Sequence, residues 1–96
     1  MDEYLQNLKD RMKISHSSED PHLLFILQSS YEDIQSLIGN FDMNQFLSGK
    51  ELVFERCRYA YNDSLEYFYD NFQQRILDLS IELLMRGDND GNSSEL

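Results

Sequence analysis

The chain contains one cysteine, one proline and eight basic residues, and it lacks any long apolar run. Each shortage excludes something. A lone Cys57 cannot form an intramolecular disulfide, so a reducing compartment is the simplest expectation. The longest apolar stretch, LLFIL at residues 23–27, falls far short of the ~20 residues of a membrane-spanning helix. The opening MDEYLQNLKD is too polar for a signal peptide, so a soluble, intracellular product is expected. Eight Lys and Arg against eighteen Asp and Glu leave a formal net charge of −10. Phosphate contacts and anionic lipid both need a basic face, so neither sequence-specific nucleic acid nor a membrane is expected as a partner. There is no hairpin dipeptide between alternating runs, no internal repeat and no glycine-rich phosphate loop.

What is present fits a globular helical chain. The hydrophobic fraction of 41% over 96 residues is enough for one modest core. The reading is all-α: a small bundle of about four helices in one domain over residues 1–86. An acidic tail, expected to be mobile, follows over 87–96, where Gly, Asn, Asp and Ser show no periodicity.

Leu5, Leu8 and Met12 predict a first helix over residues 2–13, with Asp2 and Glu3 at its positive end. Asp20 before Pro21 reads as an N-cap and first helical position, with Ser18 as an earlier alternative cap. The second helix is expected over 21–38. Leu23, Leu24, Leu27, Tyr31, Ile34 and Ile38 form its stripe, and Gly39 supplies a left-handed cap. Phe25 falls off that stripe, either exposed or touching another element. Residues 39–49 carry Phe41, Met43, Phe46 and Leu47 between two glycines, a loop or turn packed back on the body. A third helix is predicted over 50–62, with continuation to 72 as the alternative. A last one places Phe72, Ile76, Leu79 and Leu83 on one side.

Residues 56–72, RCRYAYNDSLEYFYDNF, hold Tyr59, Tyr61, Tyr67, Phe68, Tyr69 and Phe72 among charged and amide residues. At about 100° per residue, Val53, Cys57, Ala60, Ser64 and Phe68 form one ladder. Phe54, Tyr61, Leu65 and Phe72 widen it into a buried face. Leu52, Arg56, Tyr59, Asp63 and Asp70 lie opposite, with Tyr67 at the margin. Two readings fit that outer sector: scattered surface residues, or a protein contact anchored by Tyr and Arg. On the second, Tyr59→Ala spares the fold.

No catalytic, metal or cofactor constellation emerges. Cys57 sits on the apolar ladder, where a thiol is inert. His16 and His22 have no second ligand at helical spacing. DNDGN at residues 88–92 imitates the start of a calcium loop but misplaces its glycine. The chain is therefore not read as an enzyme.

The order of LKDRMKI, an acidic linker, DPHLLFILQSSYEDIQSLIG and ELVFERCRYAYNDSLEYFYDNFQQRILDLSIEL resembles the small head–tail connector (adaptor, or head completion) proteins of tailed bacteriophages. The likeness covers roughly residues 5–84. It is densest in ELVFERCRYAYNDSLEYF, with Arg56, Arg58, Tyr59, Asn62 and Asp63 in the expected order. The resemblance implies a structural protein of the virion head–tail joint, made in the host cytoplasm. It would form a ring, dodecameric on the portal protein, extend the DNA channel and receive a stopper or tail-completion protein. Ring closure needs two different surfaces per subunit, which favours the contact reading of Phe25, Leu52, Arg56, Tyr59, Asp63 and Tyr67. A small acidic inhibitor that imitates DNA is the alternative, and a helical regulatory partner is a third.

Overall fold

The structure, a computed structural model, describes residues 1–95, with side chains through Gly87. Among them are five α-helices and one 3-10 turn, with no strand: α1 (Asp2–Met12), α2 (Asp20–Ile38), α3 (Leu47–Tyr61), the 3-10 turn (Leu65–Tyr67), α4 (Phe68–Asn71) and α5 (Gln73–Glu95). The all-α expectation holds, with five helices where about four were expected. The acidic-tail segment, residues 87–96, falls almost wholly within α5 or at Leu96. Its side chains from residue 88 onward, and Leu96, lie outside the described residues, and so does the expectation of mobility.

α2 is the organising helix, packing against α3, α5 and α1. Leu23, Ile26, Leu27, Ile34 and Ile38 face the core, joined by a fully buried Ser30. Leu24 and Tyr31 of the expected stripe are only half-buried, and Ile26 and Ser30 take the better positions. Small side chains let the helices approach: Ser30 faces α3, and the Cys57 thiol lies 3.9 Å from the Ile26 carbonyl. Asp20 does not cap α2. It begins the helix, with Glu19 at the N-cap, and pairs with Lys9 of α1 at 2.8 Å. Lys13, at φ 60°, ends α1 in the left-handed region.

Residues 39–46 fold back as expected. Gly39 turns at φ 113° and ψ 165°, a positive-φ extended conformation rather than the left-handed helical cap. Phe41, Met43 and Phe46 are buried, while Leu47 is exposed and already belongs to α3, three residues before the predicted start. The Tyr31 hydroxyl donates to the Phe41 carbonyl, and the Asn44 amide closes a turn on the Asp42 carboxylate at 2.8 Å. Gly49 makes this packing possible. A Cβ there would lie 2.7 Å from the Phe41 ring and 2.8 Å from that of Phe46.

α3 stops at Tyr61, so the ladder through Ser64 and Phe68 is not one helix. Asn62 caps it, Asp63 turns to φ 55°, and the Ser64 amide donates to the Tyr59 carbonyl at 2.9 Å. Aspartate tolerates the left-handed region better than most residues, so Asn-Asp-Ser is a helix end written in side-chain chemistry. Phe68 still reaches full burial, carried there by the 3-10 turn and α4. The body measures 52 × 28 × 17 Å. The short dimension is about two packed helices, so each helix keeps a solvent face.

Candidate functional site

The six residues singled out on sequence separate into three groups. Leu52 is core, 2% exposed, and is thereby corrected out of the outer sector. α3 is buried on a wide arc over its first turns, taking in Leu52, Val53 and Phe54 consecutively. A one-sided wheel misplaces such a residue.

Arg56 and Tyr59 belong to internal networks. Arg56 Nε donates to Asp33 Oδ2 at 3.0 Å, and its Nη1 donates to Ser30 Oγ at 3.0 Å. The Tyr69 hydroxyl donates to the same Asp33 oxygen at 2.7 Å. Three elements, α2, α3 and α4, are thus joined through the largely buried Arg56 side chain. Burial first, and then the bond to Asp33, push the Tyr69 phenol above its ordinary range. Tyr59 sets its ring edge-on to Phe68 at 5.6 Å and to Phe72 at 5.7 Å, and its hydroxyl accepts from the Asn71 amide at 3.1 Å. It fastens α3 to the α4 region, contacts that Tyr59→Ala would remove.

Phe25, Tyr67 and Asp63 remain outside. Phe25 is 67% exposed and Tyr67 59%. Asp63 is the exposed hinge residue at the end of α3. Tyr67 lies near Asp63, Glu66 and Asp70 in the chain, all exposed, where the surface is both aromatic and acidic.

The sequence reading missed a larger apolar surface. On α5, Ile76, Leu79 and Leu83 face the body. Leu77, Ile81, Leu84 and Met85 point away, at 52%, 49%, 65% and 59% exposure. The signal was available in RILDLSIELLM. Once one helical face is assigned to the core, the remaining apolar residues fall at spacings of four and three on the other.

The basic residues are largely committed within the body. Arg11 pairs with Glu51 at 2.6 Å and Glu55 at 3.1 Å, and Arg58 pairs with Glu55 at 2.7 Å. The bond from Arg58, opposed by burial and aided by Arg11, holds the Glu55 carboxyl below its usual range. Burial pushes the Cys57 thiol up to about 11, which leaves it protonated near neutral pH. His16 meets Ser18 and Glu19 in the exposed linker, remote in role from the buried thiol. Among the described residues no three His, Cys, Asp or Glu side chains converge as a metal site requires. No described helix is long and apolar enough to cross a membrane.

Comparison of the chain with protein-family models, curated proteins and solved structures finds no match.

Proposed function

We propose that this protein is a non-catalytic assembly component of the tailed-phage head–tail joint. It would form a ring beneath the portal protein, extend the DNA channel and receive the next joining protein. The observation that carries the reading is the exposure of large apolar side chains on separate elements: Phe25 on α2, Tyr67 on the 3-10 turn and the outer stripe of α5. A closed ring needs two unlike surfaces on each subunit. Exposed aromatic and aliphatic patches are what such contacts use. The motif order in residues 5–84 is the second support.

A net charge of −10 fits both ends of this role. Like charges resist premature ring closure, and an acidic wall lets DNA slide without sticking. The portal then supplies a local array of sites, so that avidity replaces strong pairwise affinity. Electron microscopy and mass measurement of the concentrated protein, with and without portal, test the reading. Rings or portal-bound density support it. A protein that ignores portal removes it, and a ring whose lumen is lined by Lys and Arg rather than Asp and Glu removes the acidic-wall step alone.

The DNA-imitating inhibitor draws on the same net charge. Its carboxylates should stand free on one face, whereas Asp20, Asp33, Glu51 and Glu55 are engaged by Lys9, Arg56, Arg11 and Arg58.

A further inference from the structure

We propose that α1 is exchanged between copies, the α1 of each subunit occupying the α1 site of the next. A helix and the groove that holds it are then the two unlike surfaces of a head-to-tail assembly. The inference rests on the assembly reading in taking a second copy as the partner. The first observation is how α1 is held. Only Leu8 and Lys9 of this helix are buried, and Tyr4, Leu5 and Met12 pack partly against the core. The remaining hold is polar and lies at the rim. Lys9 meets Asp20 at 2.8 Å, Arg11 meets Glu51 at 2.6 Å and Glu55 at 3.1 Å, and Lys50 lies over the Tyr4 ring at 5.6 Å. A groove that accepts its own α1 accepts that of another copy through the same contacts, the low-cost route of domain swapping.

The second observation is charge, and it favours that occupant. Residues 1–13 carry Asp2, Glu3 and Asp10 against Lys9, Arg11 and Lys13, three of each sign, so the whole −10 lies on residues 14–96. Two copies therefore repel through their bodies, while α1 is a neutral segment of one that approaches the other without that penalty. Lys9 and Arg11 stand in its last turn and meet an acidic rim of Asp20, Glu51 and Glu55.

The third observation is the hinge. Lys13 sits at φ 60° and ψ 42°, a left-handed turn that is unfavourable for an L-residue other than asparagine or aspartate. Straightening the linker lets Lys13 leave that region. Ser15, His16, Ser17 and Ser18 are exposed, and the Tyr61 hydroxyl holds Glu19 to the body at 2.8 Å. The moving part is thus residues 13–18, which when extended span about 20 Å, more than the 17 Å short dimension of the body. A short hinge under strain invites exchange. The closed and exchanged forms share the contacts of α1 with its groove, so the local concentration of copies on the portal decides between them.

The test uses the Lys9–Asp20 pair, whose 2.8 Å separation suits direct coupling of an amine to a carboxylate. Full-length light and isotope-labelled heavy chains are unfolded together in urea, refolded at high concentration, coupled, digested and read by mass spectrometry. Light-to-heavy links should form in the concentrated sample and disappear on high dilution. Links confined to one isotope in the concentrated sample overturn the proposal, as does a chain that sediments there as a monomer.

A pair of charge reversals checks the same point without coupling chemistry. Arg11→Glu and Glu51→Arg each set like charges together within one chain, and each finds its match only on the other variant. Their mixture should therefore associate about fivefold more tightly than either variant alone. A mixture no tighter than its components overturns the proposal.

The exchange and the connector role fail separately. Portal-bound density from chains linked only within themselves removes the exchange. Light-to-heavy links in a protein that ignores portal remove only the connector role.

Discussion

Arg56 and Asp33 meet at 3.0 Å between α3 and α2, and the hydroxyl of Tyr69 donates to the same carboxylate oxygen. The Arg56 side chain is only 12% exposed, so removing its counter-charge strands a poorly solvated cation. Asp33→Ala should therefore destabilise the fold by about 1–3 kcal/mol, at the low end for a buried pair because Asp33 keeps some water contact. Urea denaturation of Asp33→Ala, Arg56→Met and the double variant checks this. The double variant should lose clearly less than the sum of the two single changes.

The buried and exposed positions around α3 should behave oppositely on truncation. Leu52→Ala empties a core site and should cost about 2–5 kcal/mol. Tyr59→Ala loses the edge-on contacts to Phe68 and Phe72 and should cost about 1–3 kcal/mol. Phe25→Ala should stay within about 0.5 kcal/mol of the parent. If Phe25→Ala unfolds the chain, Phe25 is structural and leaves the contact surface.

Glu55 sets a pH dependence with a definite sign. Its carboxyl is held below the ordinary range, chiefly by Arg58. A depressed folded-state value means the stabilisation is fully present above the unfolded value, about 4.3 for glutamate. It is lost as pH falls further, through the folded value. The urea midpoint should drop through that acidic window, and Glu55→Gln should flatten part of the drop. An unchanged slope in that variant assigns the acid sensitivity to other carboxylates.

Cys57 should be chemically silent in the folded protein. Burial raises its thiol to about 11 and shields it from reagents. An aromatic disulfide reagent near pH 8 should react slowly with the native chain and rapidly in urea. Fast native labelling would mean that the contact between α2 and α3 opens readily.

Much of the fold was legible in the sequence. The α1 and α2 ranges came within a residue, because their apolar stripes are bounded by Asp20-Pro21 and Gly39. The burial of Phe41, Met43 and Phe46 was readable from their density between two glycines. The end of α3 was not, because the hydrophobic ladder runs on in phase through Ser64 and Phe68. Only the left-handed turn at Asp63 separates a continuous helix from one broken and re-aimed.

The contact surface was less legible for a related reason. A helical wheel assigns one wet side, whereas α3 is buried over a wide arc and α5 is apolar on two. Arg56 and Tyr59 therefore looked external and proved to be internal fasteners. Leu77, Ile81 and Leu84 were assigned to neither side.

α1 has a consequence for how the molecule breathes. It meets the rest through fully buried Leu8, the Lys9–Asp20 pair and the reach of Arg11 to Glu51 and Glu55. Its release would expose Leu8, the partly buried Tyr4, Leu5 and Met12, and the buried Lys9, and leave the α2–α3 contact in place. Such a unit opens at a free energy below that of global unfolding. Amide protons of α1 should exchange with solvent ahead of those in α2, so the chain should come apart from its first helix inward.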